Sequence, residues 1–246
     1  FKNKMNLIKA YSKLEVSVYD VDYESSFQCH RNALILICEV NKSSDTNAIR
    51  SCNSYLFSWA EECRKHGNIE IAKSAFKMVM QTDERLLEEH ETKENLVNAI
   101  TTLNRLTFCC TKEEAEDIKT YTRNALYLID KLMLKDFNIC CNLWLKQAKM
   151  CFDKQVYYEA FYVYDTMADE LVKLNDLSYV LLLIEVLIHI AEIAFIDGGK
   201  DAGIHRIQYP IQQIDEARKL FQDKENINEL DELMAKCQKL LAQYAE

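Results

Sequence analysis

Apolar residues recur at intervals of three and four along the whole chain, and only four glycines and one proline interrupt 246 residues. That period is the signature of helices with one buried face. Turn-rich β-sandwiches and barrels need many more punctuating residues. No stretch alternates with period two for long enough to be a strand. The frequent Leu, Ala, Lys, Glu and Gln are good helix formers. The fold class read from this pattern is all-α.

The periodicity predicts helices at about 2–19, 23–42, 46–65, 69–90, 93–109, 112–134, 138–152, 156–174, 177–196, 210–222 and 226–245, ten or eleven in all. Leu7, Tyr11, Leu14 and Val18 form the stripe of the first, and Asp20-Val21-Asp22 ends it. Asp45 reads as an N-cap. Thr111 followed by Glu114 reads as a capping box. His66-Gly67-Asn68 is the tightest turn signal of the first half, and Asp197-Gly198-Gly199 breaks the second. Residues 200–209 read as a short turn of helix, with Pro210 in the first turn of the helix that follows. No Gly/Ser/Pro-rich linker divides the chain, so 1–246 reads as a single helical-repeat domain.

Two segments match at an offset of 88: SYLFSWAEECRKHGNIEIAKSAF (54–76) and NLWLKQAKMCFDKQVYYEAFYVY (142–164). Leu56 pairs with Trp144, Ala60 with Ala148 and Cys63 with Cys151. Ile69 pairs with Tyr157, Ala72 with Ala160 and Phe76 with Tyr164. A small residue in each helix of a pair lets two backbones approach, and the large residues a turn away fill the groove. Leu56, Ala60, Cys63, Ala72, Phe76, Trp144, Ala148, Cys151, Ala160 and Tyr164 are therefore read as repeat-packing residues. Residues 10–33 give a weaker third copy, with Leu14, Tyr23, Ser26 and Ala33 where Ala60, Ile69, Ala72 and Val79 stand.

This pattern resembles the tetratricopeptide repeat. The resemblance rests on Ala60 and Ala148, the turn at Gly67-Asn68 or Gln155, Ile69 or Tyr157, Ala72 or Ala160, and Phe76 or Tyr164. It implies antiparallel helix pairs stacked as an α-solenoid with a concave, partner-binding groove. The best pairs are 46–90 and 138–174, the pair 2–42 is degenerate, and helices of 210–245 close the array. Departures are plain. Glu84 stands where the family has a helix-ending proline, an offset of 88 holds two units of about 44, and the pair 93–134 matches poorly. The stretch LWLKQAKMCFDKQVYYEAFYVYDTMADELVKLND (143–176) is also similar in rhythm to the N-terminal helical arm of proteasome-lid and COP9-signalosome subunits. Their closing winged-helix module is not visible.

The formal net charge is −9, with a local acidic run at 83–94. A nucleic-acid binder needs a basic footprint. The densest basic cluster is Arg64, Lys65 and His66, so the chain argues against nucleic acid as main ligand. A nucleic-acid-associated adaptor, such as a meiotic or cohesion scaffold, stands as an alternative. Ten cysteines form no C-x-x-C pair and fall mostly on apolar stripes. They read as reduced, buried thiols, which points to an intracellular protein, cytoplasmic or nuclear. The chain begins at Phe1 rather than Met, which reads as a fragment of something longer. The segment 177–196 has the length of a membrane span. Glu185, His189 and Glu192 share one of its faces, costly in lipid, so it reads as a buried helix with one wet stripe.

No nucleophile elbow, P-loop or dinucleotide fingerprint appears, so no enzyme is expected, with no catalytic residue and no cofactor. Cys63 and His66, three apart on one helix, are weighed as a nucleophile and base, and packing accounts for Cys63. Glu185, His189 and Glu192 on one face are the seed of the other alternative, a helical-bundle metal or cofactor protein. That reading lacks the Glu-x-x-His order and a second ligand helix. The aromatic cluster separates into an inward set (Tyr157, Phe161, Tyr164) and an outward pair (Tyr158, Tyr162). Tyr158, Tyr162, Glu185, His189 and Glu192 are the expected partner-binding residues. The functional expectation is a non-enzymatic scaffold or adaptor, a subunit of a larger complex, taking a peptide or helix in its groove. The acidic surface favours a basic partner.

Overall fold

A computed structural model describes residues 23–42, 45–174, 176–221 and 224–245, together with positions 3, 4, 6–8, 10, 11 and 13. Ten helices are bounded within them: α1 Tyr23–Asn41, α2 Thr46–Lys65, α3 Ile69–Glu89, α4 Lys93–Cys109, α5 Ala115–Met133, α6 Phe137–Asp153, α7 Tyr157–Leu174, α8 Val180–Asp197, α9 Lys200–Leu220 and α10 Lys224–Ala245. Short 3-10 turns, Lys112–Glu114 and Leu177–Tyr179, precede α5 and α8. No strand occurs among the described residues.

Helix starts follow their polar caps. Asp45 Oδ1 accepts the Ala48 N–H at 3.1 Å, and Thr92 Oγ1 accepts that of Asn95 at 3.2 Å. Asp136 Oδ1 accepts from Ile139 at 3.1 Å, and Asp176 Oδ1 from Ser178 at 2.9 Å. Each side chain satisfies an amide that the first turn leaves without an intrahelical partner. The Thr111/Glu114 capping box is present, and the Thr111 N–H donates to Glu114 Oε2 at 2.9 Å. It opens the 3-10 turn rather than α5 itself. At the end of α2, Asn68 N–H reaches back to Cys63 C=O at 2.9 Å around Gly67, whose φ is +80°. At the end of α6, Val156 N–H reaches Cys151 C=O at 3.0 Å around Gln155, whose φ is +61°.

Three expectations need correction or fall outside view. Most of the expected helix 2–19 lies outside the described residues, including Leu14, Val18 and the Asp20-Val21-Asp22 break. Of its stripe, Leu7 is exposed and the neighbouring Ile8 is the fully buried residue, so the inward face is turned by one position. Pro210 does not start a helix. It sits buried inside α9, which runs unbroken from Lys200. A mid-helix proline forfeits one backbone hydrogen bond and costs about 3 kcal/mol. Here Ile207, Ile214 and Ala217 bury one face of α9 across that position, and this packing outweighs the local preference.

Contacts divide the chain into two compact units, Phe1–Cys140 and Cys141–Glu246. The sequence reads as one uninterrupted domain because the boundary falls inside helix α6, where no linker composition marks it. In the first unit consecutive helices pack in adjacent pairs from α1 to α5. Leu56, Ala60, Phe76, Val79, Leu96, Ile100 and Leu103 lie in its interior, and Phe57 meets Phe76 edge-to-face at 5.3 Å. Each of the larger side chains among them contributes about 1.5–3 kcal/mol.

In the second unit α8 packs on α7, α9 and α10. Its core joins Ile184, Ile188, Ala191 and Phe195 of α8 to Ile207 and Ile214 of α9 and Leu230, Leu233 and Cys237 of α10. Leu177–Asp197 is long and apolar enough to cross a membrane by length and composition, but these contacts use it as the central core helix. The Asp197-Gly198-Gly199 break separates α8 from α9, with Gly199 at φ +82°. The nine cysteines whose side chains are described are buried, and none of them is in a disulfide. Burial pushes the thiols of Cys52, Cys141 and Cys237 up to about 11, so they stay neutral.

Candidate functional site

The first unit carries a cleft of about 310 Å³ between α2 and α4, floored by α3. Helical period builds it. Arg50, Asn53, Ser54, Phe57 and Ser58 fall at steps of three and four along one face of α2. Glu94, Asn98, Thr101 and Thr102 do the same on α4, and Val79, Asp83 and Leu86 on α3. The two walls are thus alternate helices, and polar ties hold them together. Arg105 pairs with Glu61 at 2.6 Å, and Arg64 lies over the Phe108 ring at 4.8 Å. Arg50 reaches Asn95 Oδ1 at 3.4 Å, the long limit of a hydrogen bond.

Asp83 is the chemically unusual group of this cleft. It is 3% exposed, and Asn53 beside it 7%. Asn53 Nδ2 donates to Asp83 Oδ1 at 2.7 Å, and Thr102 Oγ1 lies 2.8 Å from Asp83 Oδ2. Thr102 Oγ1 is also 3.1 Å from the Asn98 carbonyl. A hydroxyl has one proton to donate. Thr102 therefore shares its one proton between the Asp83 carboxyl and the Asn98 carbonyl. Burial favours the neutral acid: it pushes the Asp83 carboxyl up to about 7, against the bonds from Thr102 and Asn53 and with help from the nearby Glu84 charge. The Asn53 amide oxygen is buried with no hydrogen-bond partner.

The other buried charge of this unit is compensated. Lys73 of α3 is paired with Glu114 and, at 3.5 Å, with Asp117. Burial works against its ammonium, but the bond to Glu114 and the charges around it outweigh that and raise its pKa.

The second unit has a different cleft, of about 400 Å³, lined by Tyr157, Tyr158 and Phe161 of α7, by Ile193, Ala194 and Asp197 of α8, and by Ala202, His205 and Arg206 of α9. Arg206 lies over the Phe161 ring at 5.6 Å.

Of the residues expected to bind a partner, Tyr158 is 69% exposed and lines this cleft, whereas Tyr162 is 48% exposed and stands outside it. Glu185, His189 and Glu192 are half-buried on α8 and face different groups. His189 stacks on the Tyr164 ring at 5.0 Å and approaches Glu192 at 3.4 Å, while Glu185 faces Lys236 of α10 at 3.8 Å. Burial, with the charges of Glu192 and Glu185, raises the Tyr164 phenol and keeps it neutral. No group of three His, Cys, Asp or Glu side chains is gathered for a metal among the described residues. The ten repeat-packing residues are all buried. Cys63 is buried, and the exposed His66 bonds through Nδ1 to the Glu62 carbonyl at 2.8 Å.

Sequence reasoning missed the Asp83 site. Asp83 opens the acidic run 83–94 and reads as solvated surface. The signal was the period: Phe76, Val79, Asp83 and Leu86 form one continuous α3 stripe, with a carboxyl set among core residues. No protein-family model and no curated protein sequence matches the chain.

Proposed function

We propose that the chain is a non-catalytic interaction scaffold, a subunit of an intracellular complex, whose helix pairs stack antiparallel as a tetratricopeptide-like solenoid. The observation that carries this reading is the cleft of the first unit. Its walls are alternate helices with the intervening helix as floor, the arrangement by which stacked pairs line a groove. The ties between the walls support a unit of about 44 residues: Glu61 to Arg105 and Arg64 to Phe108 each span 44 positions. The matched segments at an offset of 88 hold two such units. The exposed Tyr158 and Tyr162 add anchors of the type enriched in interfaces, and the net charge of −9 favours a basic partner.

The test is affinity purification of the chain from a native extract, with co-purifying proteins quantified by mass spectrometry. Stoichiometric recovery of one defined set of proteins, reduced by Tyr158→Ser, supports the scaffold. A folded bait that recovers no protein above background overturns it.

A further inference from the structure

We propose that the cleft over Asp83 is a socket for one basic side chain, a lysine or arginine of the partner polypeptide. The inference rests on the scaffold reading and names the chemistry that its groove recognises. Asp83 is buried at the cleft floor, bonded only to the neutral groups Asn53 and Thr102. The one cation of the lining, Arg50, directs its Nη2 to Asn95 Oδ1 at 3.4 Å. A buried carboxyl without a counter-ion is costly and is held neutral. The same unit shows the compensated alternative at Lys73, which has two carboxylates. Asp83 lacks the equivalent, and an incoming ammonium or guanidinium supplies it.

The rest of the floor and rim fits a cationic donor. The unpartnered Asn53 oxygen is a second acceptor beside Asp83, and Glu94 on α4 stands at the rim. Arg50 on α2 is the one like charge in the lining. Its long bond to Asn95 makes it the group displaced outward on entry. Binding is proton-linked. Asp83 must ionise to pair, which the nearby Glu84 charge on α3 resists; Glu94 on α4 and Arg50 on α2 are the other charged groups lining the cleft.

The test follows the carboxyl 13C resonance of Asp83 in the full chain during titration with a short arginine peptide, with the same peptide carrying citrulline as a neutral isostere. Expected is saturable movement of the Asp83 resonance with arginine and none with citrulline. Asp83→Asn, which keeps both side-chain hydrogen bonds, weakens binding by roughly thirtyfold. Arg50→Ala strengthens it severalfold. Affinity rises by about tenfold from about pH 6 to about pH 8 as the competent ionised fraction grows. A stationary Asp83 resonance, equal movement with citrulline, or an unchanged Asp83→Asn affinity overturns the socket. A partner captured equally by wild type and Asp83→Asn overturns the socket and leaves the scaffold standing. Absence of any captured partner strikes the scaffold, while the titration still decides the socket.

Discussion

Gly67 and Gln155, 88 positions apart, occupy the same left-handed backbone conformation, with φ of +80° and +61°. Each is the only residue of its turn to do so, and each closes the same bond from five residues on, Asn68 to Cys63 and Val156 to Cys151. This is the helix-terminating motif in which an amide reaches back over a left-handed residue to a free carbonyl. The repeat detected in side chains is therefore also a repeat of backbone geometry. One copy uses the residue suited to that geometry, and the other uses glutamine.

Gln155→Gly should stabilise the chain by about 0.5–1 kcal/mol, because a side-chain-bearing residue is strained at positive φ and glycine is not. Gly67→Ala should cost about 1 kcal/mol. No atom lies within 4 Å of the added methyl, so the penalty is backbone strain alone. Denaturant midpoints of the two variants check both signs. Destabilisation by Gln155→Gly would show that the glutamine side chain, rather than the turn, is what matters there.

Gly203→Ala should destabilise the second unit by about 2–4 kcal/mol. A Cβ at this position would stand 2.0 Å from the Phe195 ring, which stacks on Tyr244 at 4.9 Å. The ring cannot yield without disturbing that stack, so overpacking strain follows. Amide exchange should show loss of protection spread over α8, α9 and α10, with the first unit unchanged. Preserved protection in α8 would mean that Phe195 has a second rotamer available.

Glu114→Ala should cost about 2–3 kcal/mol, more than an exposed glutamate warrants, because the side chain serves two groups. It accepts the Thr111 N–H in the capping box and pairs with the buried Lys73 ammonium. Removing one partner of a buried ion costs more than removing both. The double variant Glu114→Ala/Lys73→Met should therefore be more stable than Glu114→Ala alone. A double-mutant cycle by urea melts gives the coupling, and strict additivity would refute it.

Much of this architecture was legible in the residues. The start of α2 follows from Asp45 as a cap, and the bounds of α4 follow from its apolar stripe. Thr111, Asp197-Gly198-Gly199 and the Gly67 turn each act through local chemistry, which a sequence displays. Pro210 was misread because its local cost is offset by packing across the whole of α9, a term that no window of sequence contains. The boundary inside α6 left no compositional trace. The Asp83 site was half visible. Its place on the α3 stripe could be counted, but its isolation from cations depends on Arg50 turning to Asn95, which only the folded arrangement decides.

Asp83 carries the sharpest prediction. An unfolded carboxyl loses its proton near 3.8, whereas the folded Asp83 holds it to about 7. Between those values the folded state binds the extra proton. The sign is therefore opposite to that of a salt-bridged aspartate: stability falls as pH rises through this window, then levels off. The full penalty above pH 7 is on the order of 4 kcal/mol. Asp83→Asn copies the neutral acid. Its amide oxygen can accept from Asn53 and its amide N–H can donate to Thr102, freeing the Thr102 hydroxyl for Asn98. The variant should match wild type near pH 4 and exceed its stability by several kcal/mol near pH 8. Paired chemical melts at the two pH values decide it, and parallel wild-type and variant profiles would show that Asp83 is ionised throughout. If stability rises while capture of a basic partner falls, the chain keeps a destabilising carboxyl because binding requires it.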